Sequence, residues 1–218
     1  MKLFIYGANG AGLEVYDLAF RQNKWNNRYS KIFLVDDFQD EIDYYGTRRI
    51  HFSSCKEYMG EELAEFIIAV GEPAYRKLLL DRIISAGYSL TTLVDESAIV
   101  SESAKISKGC IVNAGTVISS NAVVEENCFV MFQTIIGHDA YVKSNCVICP
   151  KATVGGKSVV GEQCFIGLGA SMKQKVKIGN NVTVGMGSML FRDVEDGATV
   201  VGNPGKVTKG NVEHKVFR

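Results

Sequence analysis

DESAIV SESAKI SKGCIV NAGTVI, residues 95–118, opens an unbroken run of sixteen six-residue blocks that closes with GNNVTV and GMGSML at Leu190. The sixth position is aliphatic or Met throughout, from Val100, Ile106 and Val112 to Val184 and Leu190. The fourth is always Ala, Cys, Thr, Ser or Val. Positions four and six lie two apart, so on a strand they point the same way, inward. Position five points outward and accepts Lys105, Tyr141 and Lys177. A fixed short period of this kind marks a parallel β-helix, whose single repeats cannot bury their apolar side alone. Three blocks make one triangular coil. Cys110, Cys128, Cys146 and Cys164 recur at every third block, so they stack on one flat face. There they act as small apolar fillers rather than as disulfide partners or a metal ladder. After Leu190 the repeat breaks, because the next block puts Asp196 at its sixth position.

Residues 1 to about 90 follow another pattern. Lys2–Tyr6 reads as a strand, Gly7-Ala-Asn-Gly-Ala-Gly12 as a loop and Leu13–Arg21 as an amphipathic helix. Strands at Ile32–Val35 and Phe66–Val70 and a helix over Pro73–Ala86 complete a small parallel α/β sheet. Pro73 opens that helix and Gly87 stands just past its end. Thr91–Val94 enters the first coil without a Pro- or Gly-rich linker, so the two parts should pack directly. The expected domains are 1–90, 91–206 and a polar C-terminal tail, 207–218, that ends in a loose or short helical segment.

Lys plus Arg equals Asp plus Glu at 24 each, which gives no general attraction to nucleic acid. No apolar run approaches a membrane span, and MKLFIYGANG reads as strand and turn rather than a signal peptide. A cytoplasmic protein with reduced thiols is expected.

The glycine loop follows a strand and opens a helix, the setting in which free N–H groups meet a phosphate. Its spacing is G-x-x-G-x-G, so a plain tight turn remains the alternative to nucleotide binding. Asp36 and Asp37 close the next strand, placed either to meet a ribose or base edge or simply to be solvated. His138, with Asp139 beside it, stands at a corner of its coil. An imidazole near neutral pH suits general-base work, and a neighbouring carboxylate can fix its tautomer. An idle surface histidine fits the spacing as well. One histidine in the repeat cannot build the several-histidine zinc site of a β-helix carbonic anhydrase. One coil further, Gly156 lies about one strand spacing, ~4.8 Å, along the axis. Its N–H can serve an oxyanion, or the residue can be a turn glycine.

With these residues together, the chain resembles the sugar acyltransferases of the left-handed β-helix superfamily. The likeness is to the two-domain group of sialic-acid O-acetyltransferases and bacillosamine-pathway N-acetyltransferases. It rests on the hexapeptide run, the glycine loop, Leu34-Val-Asp-Asp37, Ile136-Gly-His-Asp139, Ile148-Cys-Pro150 and Gly202-Asn-Pro204. The resemblance implies a homotrimer with acetyl-CoA in clefts between neighbouring β-helices and no metal. It makes His138 the base, Asp139 its acidic partner and Gly156 the donor to the thioester oxygen. It puts Gly155, Gly167, Lys173, Gly185 and Lys206 against the coenzyme. Gly7, Asn9, Gly10 and Gly12 would hold a sugar nucleotide's diphosphate, and Asp36 and Asp37 its nucleoside. Ala11 replaces the loop histidine common in the family, and Met131 an asparagine seven positions before the base. The function so implied is N-acetylation, at C4, of a nucleotide-linked amino sugar for bacterial surface glycans. The alternatives are O-acetylation of a sugar or sialic acid, or a non-catalytic nucleotide-binding or scaffolding trimer. An ice-binding surface is disfavoured, because the outward positions mix Ile, Lys, Val, Phe and Tyr instead of repeating Thr.

Overall fold

The computed structural model describes residues 1–210 and Val216. The N-terminal part alternates β1 (Lys2–Tyr6), α1 (Gly10–Asn26), β2 (Lys31–Val35), β3 (Ile42–Tyr44) and β4 (Thr47–Ile50). It continues with α2 (Cys55–Met59), β5 (Ala64–Ile68), α3 (Pro73–Ser85) and β6 (Ser89–Leu90). The sheet order is β3-β4-β2-β1-β5-β6, parallel except for the β3–β4 hairpin. Helix α1 begins at Gly10 and ends at Asn26, longer at both ends than its periodicity suggests. Its first turn contains two glycines, whose poor helix propensity hides it in the sequence.

From Leu93 onward every block supplies a two-residue strand at its fifth and sixth positions, and each pairs in parallel with the strand three blocks on. Three faces result. Face I carries Leu93–Val94, Ile111–Val112, Phe129–Val130, Val147–Ile148, Phe165–Ile166 and Thr183–Val184. Face II runs from Ile99–Val100 to Met189–Leu190, and face III from Lys105–Ile106 to Lys177–Ile178. Corners turn because the third position of every block from Gly109 to Gly187 has positive φ; Asn, Asp and Gly dominate there, with Lys and Gln forced into the same conformation. Fourth- and sixth-position side chains fill one continuous core. The four stacked cysteines are buried and free, and each thiol donates to a carbonyl 15 residues on at 3.0–3.1 Å. Burial raises the Cys146 thiol well above its ordinary range.

The coil does not end at Leu190. It loses two residues at the next corner and continues, so that Val194 bridges Ile178 and Val200 pairs with Val184, two positions short of a full coil. Val194, Ala198 and Val200 join the core. Asp196 therefore sits at a corner, not in the interior: its carboxylate accepts the Asn180 N–H at 2.9 Å. The start of the tail is ordered, for Lys206–Gly210 forms a strand antiparallel to Ala198–Val201. Beyond it, Val216 donates its N–H to Glu72 Oε2 at 2.9 Å; the expectation for 211–215, 217 and 218 lies outside the described residues.

The fifth positions sort by face. On face III they include lysines, but on face I Leu93, Ile111, Phe129, Val147 and Phe165 are apolar and buried in a cluster with Leu3, Ile5, Val15, Leu18 and Ile67. The N-terminal sheet and α1 thus sit on face I. Polar ties also brace this contact. Arg21 Nη2 donates to Asp95 Oδ2 at 2.7 Å at the corner between faces I and II. At the corner between faces III and I, Arg76 of α3 is fully buried. It donates to the carbonyls of Ile68 (2.6 Å), Val70 (3.0 Å) and Asn127 (2.9 Å) and to Asn127 Oδ1 (2.8 Å). Burial lowers its pKa to about 10, which leaves it charged at neutral pH.

Candidate active site

His138 stands at the corner between faces II and III, directly after the strand Ile135–Ile136. Asp139 follows in the left-handed conformation (φ 56°). That turn brings its Oδ2 to 2.8 Å from His138 Nδ1. The other carboxylate oxygen accepts from Asn121 Nδ2 at 3.1 Å, one coil below. Hydrogen bonds from His138 and Asn121 hold the Asp139 carboxyl below its ordinary value, so it stays ionised across the neutral range.

One coil above, the His138 ring lies on Gly156. A Cβ at Gly156 would stand 2.6 Å from His138 Nε2, so any side chain there evicts the ring. The Lys157 N–H donates to the His138 carbonyl at 2.8 Å and ties the two corners. Among the described residues no acceptor meets the Gly156 N–H. Nε2 thus lies over Gly156, while Nδ1 is engaged by Asp139.

The residues expected against the coenzyme divide between two corners. Gly155 and Lys173 share the His138 corner, whereas Gly167 and Gly185 lie at the corner between faces I and II. Gly155 and Gly167 have packing reasons of their own, because a Cβ would approach Gln174 N at 2.5 Å and Met186 N at 2.7 Å. Lys206 lines a separate cavity of about 520 Å³ at the C-terminal end of the coil, with Phe191, Arg192 and Pro204. Cys149, at the face I–II corner, is buried, and burial pushes its thiol up to about 12. It is therefore an inert filler rather than a nucleophile.

In the N-terminal part, Gly7, Asn9 and Gly12 line a cavity of about 400 Å³ that also meets Asp36, Asp37 and Arg82. Gly12 is required by the turn itself, since a Cβ would lie 1.8 Å from the Gly7 carbonyl oxygen. Gly10 has nothing within 4 Å of such a Cβ and sits just outside the cavity. Asn9 makes no side-chain cap, leaving the first N–H groups of the 17-residue α1 open to an anion. The two aspartates differ. Asp36 is nearly buried, with Oδ1 accepting the Phe38 N–H at 2.9 Å. Asp37 is consumed internally: Oδ1 accepts the Phe52 N–H at 2.8 Å, and Oδ2 meets Tyr6 Oη and Arg82 Nη1. Burial works against its ionisation, but these donors outweigh it and hold the carboxyl below its ordinary value. The sequence alone does not single out Asn121, Tyr6 or Arg82. Asn121 is within its reach, being one coil before Asp139; Arg82 is not, because nothing local links α3 to Asp37.

Residues 2–83 match the PglD N-terminal domain family, residues 121–156 the bacterial transferase hexapeptide family (six repeats) and residues 157–192 the hexapeptide repeat of succinyl-transferase. The chain is similar to the acetyltransferase domain of PglB from Neisseria gonorrhoeae FA1090, solved in complex with acetyl coenzyme A. Identity is 30% over 95% of this chain and 98% of that one, with a TM-score of 0.87. PerB from Caulobacter crescentus, solved with CoA and GDP-perosamine, shares the fold at 23% identity, covering 96% and 98%, with a TM-score of 0.88. WeeI from Acinetobacter baumannii AYE does so at 22%, covering 95% and 100%, with a TM-score of 0.89. By both its parts, the chain belongs to the two-domain sugar acetyltransferases built on a left-handed parallel β-helix.

Proposed function

We propose that this enzyme transfers the acetyl group of acetyl-CoA to the amino group, at C4, of a nucleotide-linked sugar in bacterial surface-glycan synthesis. The observation that carries the reading is the His138 corner, with Asp139 on Nδ1, the ring lying over Gly156, and no acceptor for the Gly156 N–H among the described residues. A nucleotide-linked acceptor is favoured by the cavity at the glycine loop, where a helix N-terminus faces Asp36. The acetyl-CoA complex of the PglB domain and the GDP-perosamine complex of PerB support the two substrates.

In the proposed step, His138 Nε2 takes a proton from the sugar amine as its nitrogen bonds to the thioester carbonyl carbon. Gly156 N–H meets the oxyanion. The C–S bond then breaks, and the protonated His138 returns the proton to the departing sulfur, so coenzyme A leaves as its thiol. Gly7, Asn9 and Gly12 hold the diphosphate with Gly10 at the helix start, and Asp36 meets the nucleoside; Asp37 shapes the pocket from behind. Lys206 and Arg192 suit the coenzyme's phosphates at the end of the coil, and Lys173 and Gly155 lie between.

The active unit in this proposal is a homotrimer. Within one chain the nucleotide cavity sits over face I, while His138 occupies the opposite edge of the prism. Face II lies between, with Ile99 67% and Ile135 44% exposed. If three chains turn face II toward a common axis, the His138 corner of one meets the face I–II corner and N-terminal domain of the next. That arrangement also joins Gly155 and Lys173 of one chain to Gly167 and Gly185 of its neighbour.

The test is thiol release from acetyl-CoA with UDP-, GDP- and dTDP-linked 4-amino sugars and with sialic acid. Release with a nucleotide amino sugar alone supports the proposal. Release with sialic acid alone makes the enzyme an O-acetyltransferase.

A further inference from the structure

We propose that Asn121 is a positioning residue for His138: through Asp139 it holds the imidazole with its proton on Nδ1 and the Nε2 lone pair free over Gly156. The inference rests on His138 being the base. Its ground is a three-residue relay in which each carboxylate oxygen of Asp139 has one partner, Asn121 Nδ2 at 3.1 Å and His138 Nδ1 at 2.8 Å. The Asp139 side chain is 40% exposed. A carboxylate held at one oxygen only turns readily about its terminal torsion, and water then competes for the histidine contact. The second anchor removes that freedom. Asn121 is itself fixed, since its N–H donates to Ser103 Oγ at 3.0 Å, while the Asp139 N–H donates to the Ser120 carbonyl at 2.9 Å. Both residues occupy the left-handed third position of their blocks, φ 59° and 56°, which sets the two side chains in one column. Lys157, on the coil above, is the other charge acting on Asp139.

Glycine accepts the left-handed conformation of residue 121 without strain, so Asn121→Gly deletes the donor and leaves the corner at ease. Asp139→Asn removes the carboxylate and calibrates the full effect. The experiment is ¹⁵N NMR of the His138 ring, assigned with His138→Ala, at a pH where the ring is neutral. The expected wild-type ring carries its proton mainly on Nδ1; Asn121→Gly moves much of that population to Nε2–H, and Asp139→Asn moves more. Unchanged ring-nitrogen shifts in Asn121→Gly, or a wild-type ring protonated on Nε2, overturn the proposal. A purely structural role would lower the melting temperature and leave the tautomer alone, which also overturns it. His138→Ala in the thiol-release assay tests the base reading separately: full activity there, with the tautomer shift still seen, removes the base and leaves the relay standing. With both intact, Asn121→Gly lowers kcat about tenfold, a fraction of what a general base supplies, with the KM for acetyl-CoA unchanged.

Discussion

In the proposed mechanism His138 and Gly156 act as one device, although they stand a full coil apart in the chain. The ring lies where any Cβ at Gly156 would stand, so only glycine leaves it its seat. His138→Ala should therefore lower turnover by roughly 10²–10⁴-fold, the usual contribution of a general base. Gly156→Ala should cost a similar factor by pushing the ring off its seat, and ¹H–¹⁵N spectra should show the displacement. Asp37 behaves differently. Its carboxyl is held below the ordinary value of 3.8 in the folded chain. Its contribution to stability is thus complete above that value and is lost as the pH falls through the folded one. Asp37→Asn should lower the unfolding free energy by about 1 kcal/mol near neutrality, discounted for partial exposure. Denaturant titrations should find that difference shrinking as the buffer is taken toward pH 3. The histidine and glycine are legible in the sequence because both sit in the repeat, where register gives position. The internal role of Asp37 is not, because Tyr6, Phe52 and Arg82 converge on it from three separate elements.

At the scale of elements, the six-residue period carries the fold of the coil almost unaided. It fails only where two residues drop out after Leu190, since a fixed frame then puts Asp196 where Val194 and Val200 belong. Sorting the fifth positions by every third block also marks face I, whose Leu93, Ile111, Phe129, Val147 and Phe165 are all apolar. That face is the floor of the N-terminal domain, with the Arg76 guanidinium 5.6 Å from the Phe129 ring centroid. Phe129→Ala should cost about 3–5 kcal/mol, as buried aromatic truncations do. Because the loss falls on the contact between domains, limited proteolysis should cut the N-terminal part first while the coil resists. The β3–β4 hairpin and the short α2 escape a reading by periodicity for want of length: neither spans enough of the chain to establish a period.

For the whole molecule, one chain separates what the proposed reaction would join. The glycine-loop cavity and His138 stand on opposite sides of a three-faced prism, and the exposed Ile99 and Ile135 mark the face by which the proposed trimer would close the gap. Ile135→Asp should reduce the assembly from three times the 23.9 kDa chain to one, by sedimentation, and abolish transfer. The most direct measurement is complementation. His138→Ala lacks the base; Gly12→Ala, whose Cβ would press on the Gly7 carbonyl at 1.8 Å, lacks the nucleotide loop. Each alone should be nearly inactive. Unfolded together and refolded as mixed closed rings, they should regain roughly a quarter of wild-type activity, since one junction in four then pairs an intact base with an intact loop. Mixed assemblies that form but recover no activity would contradict a site shared between neighbouring chains.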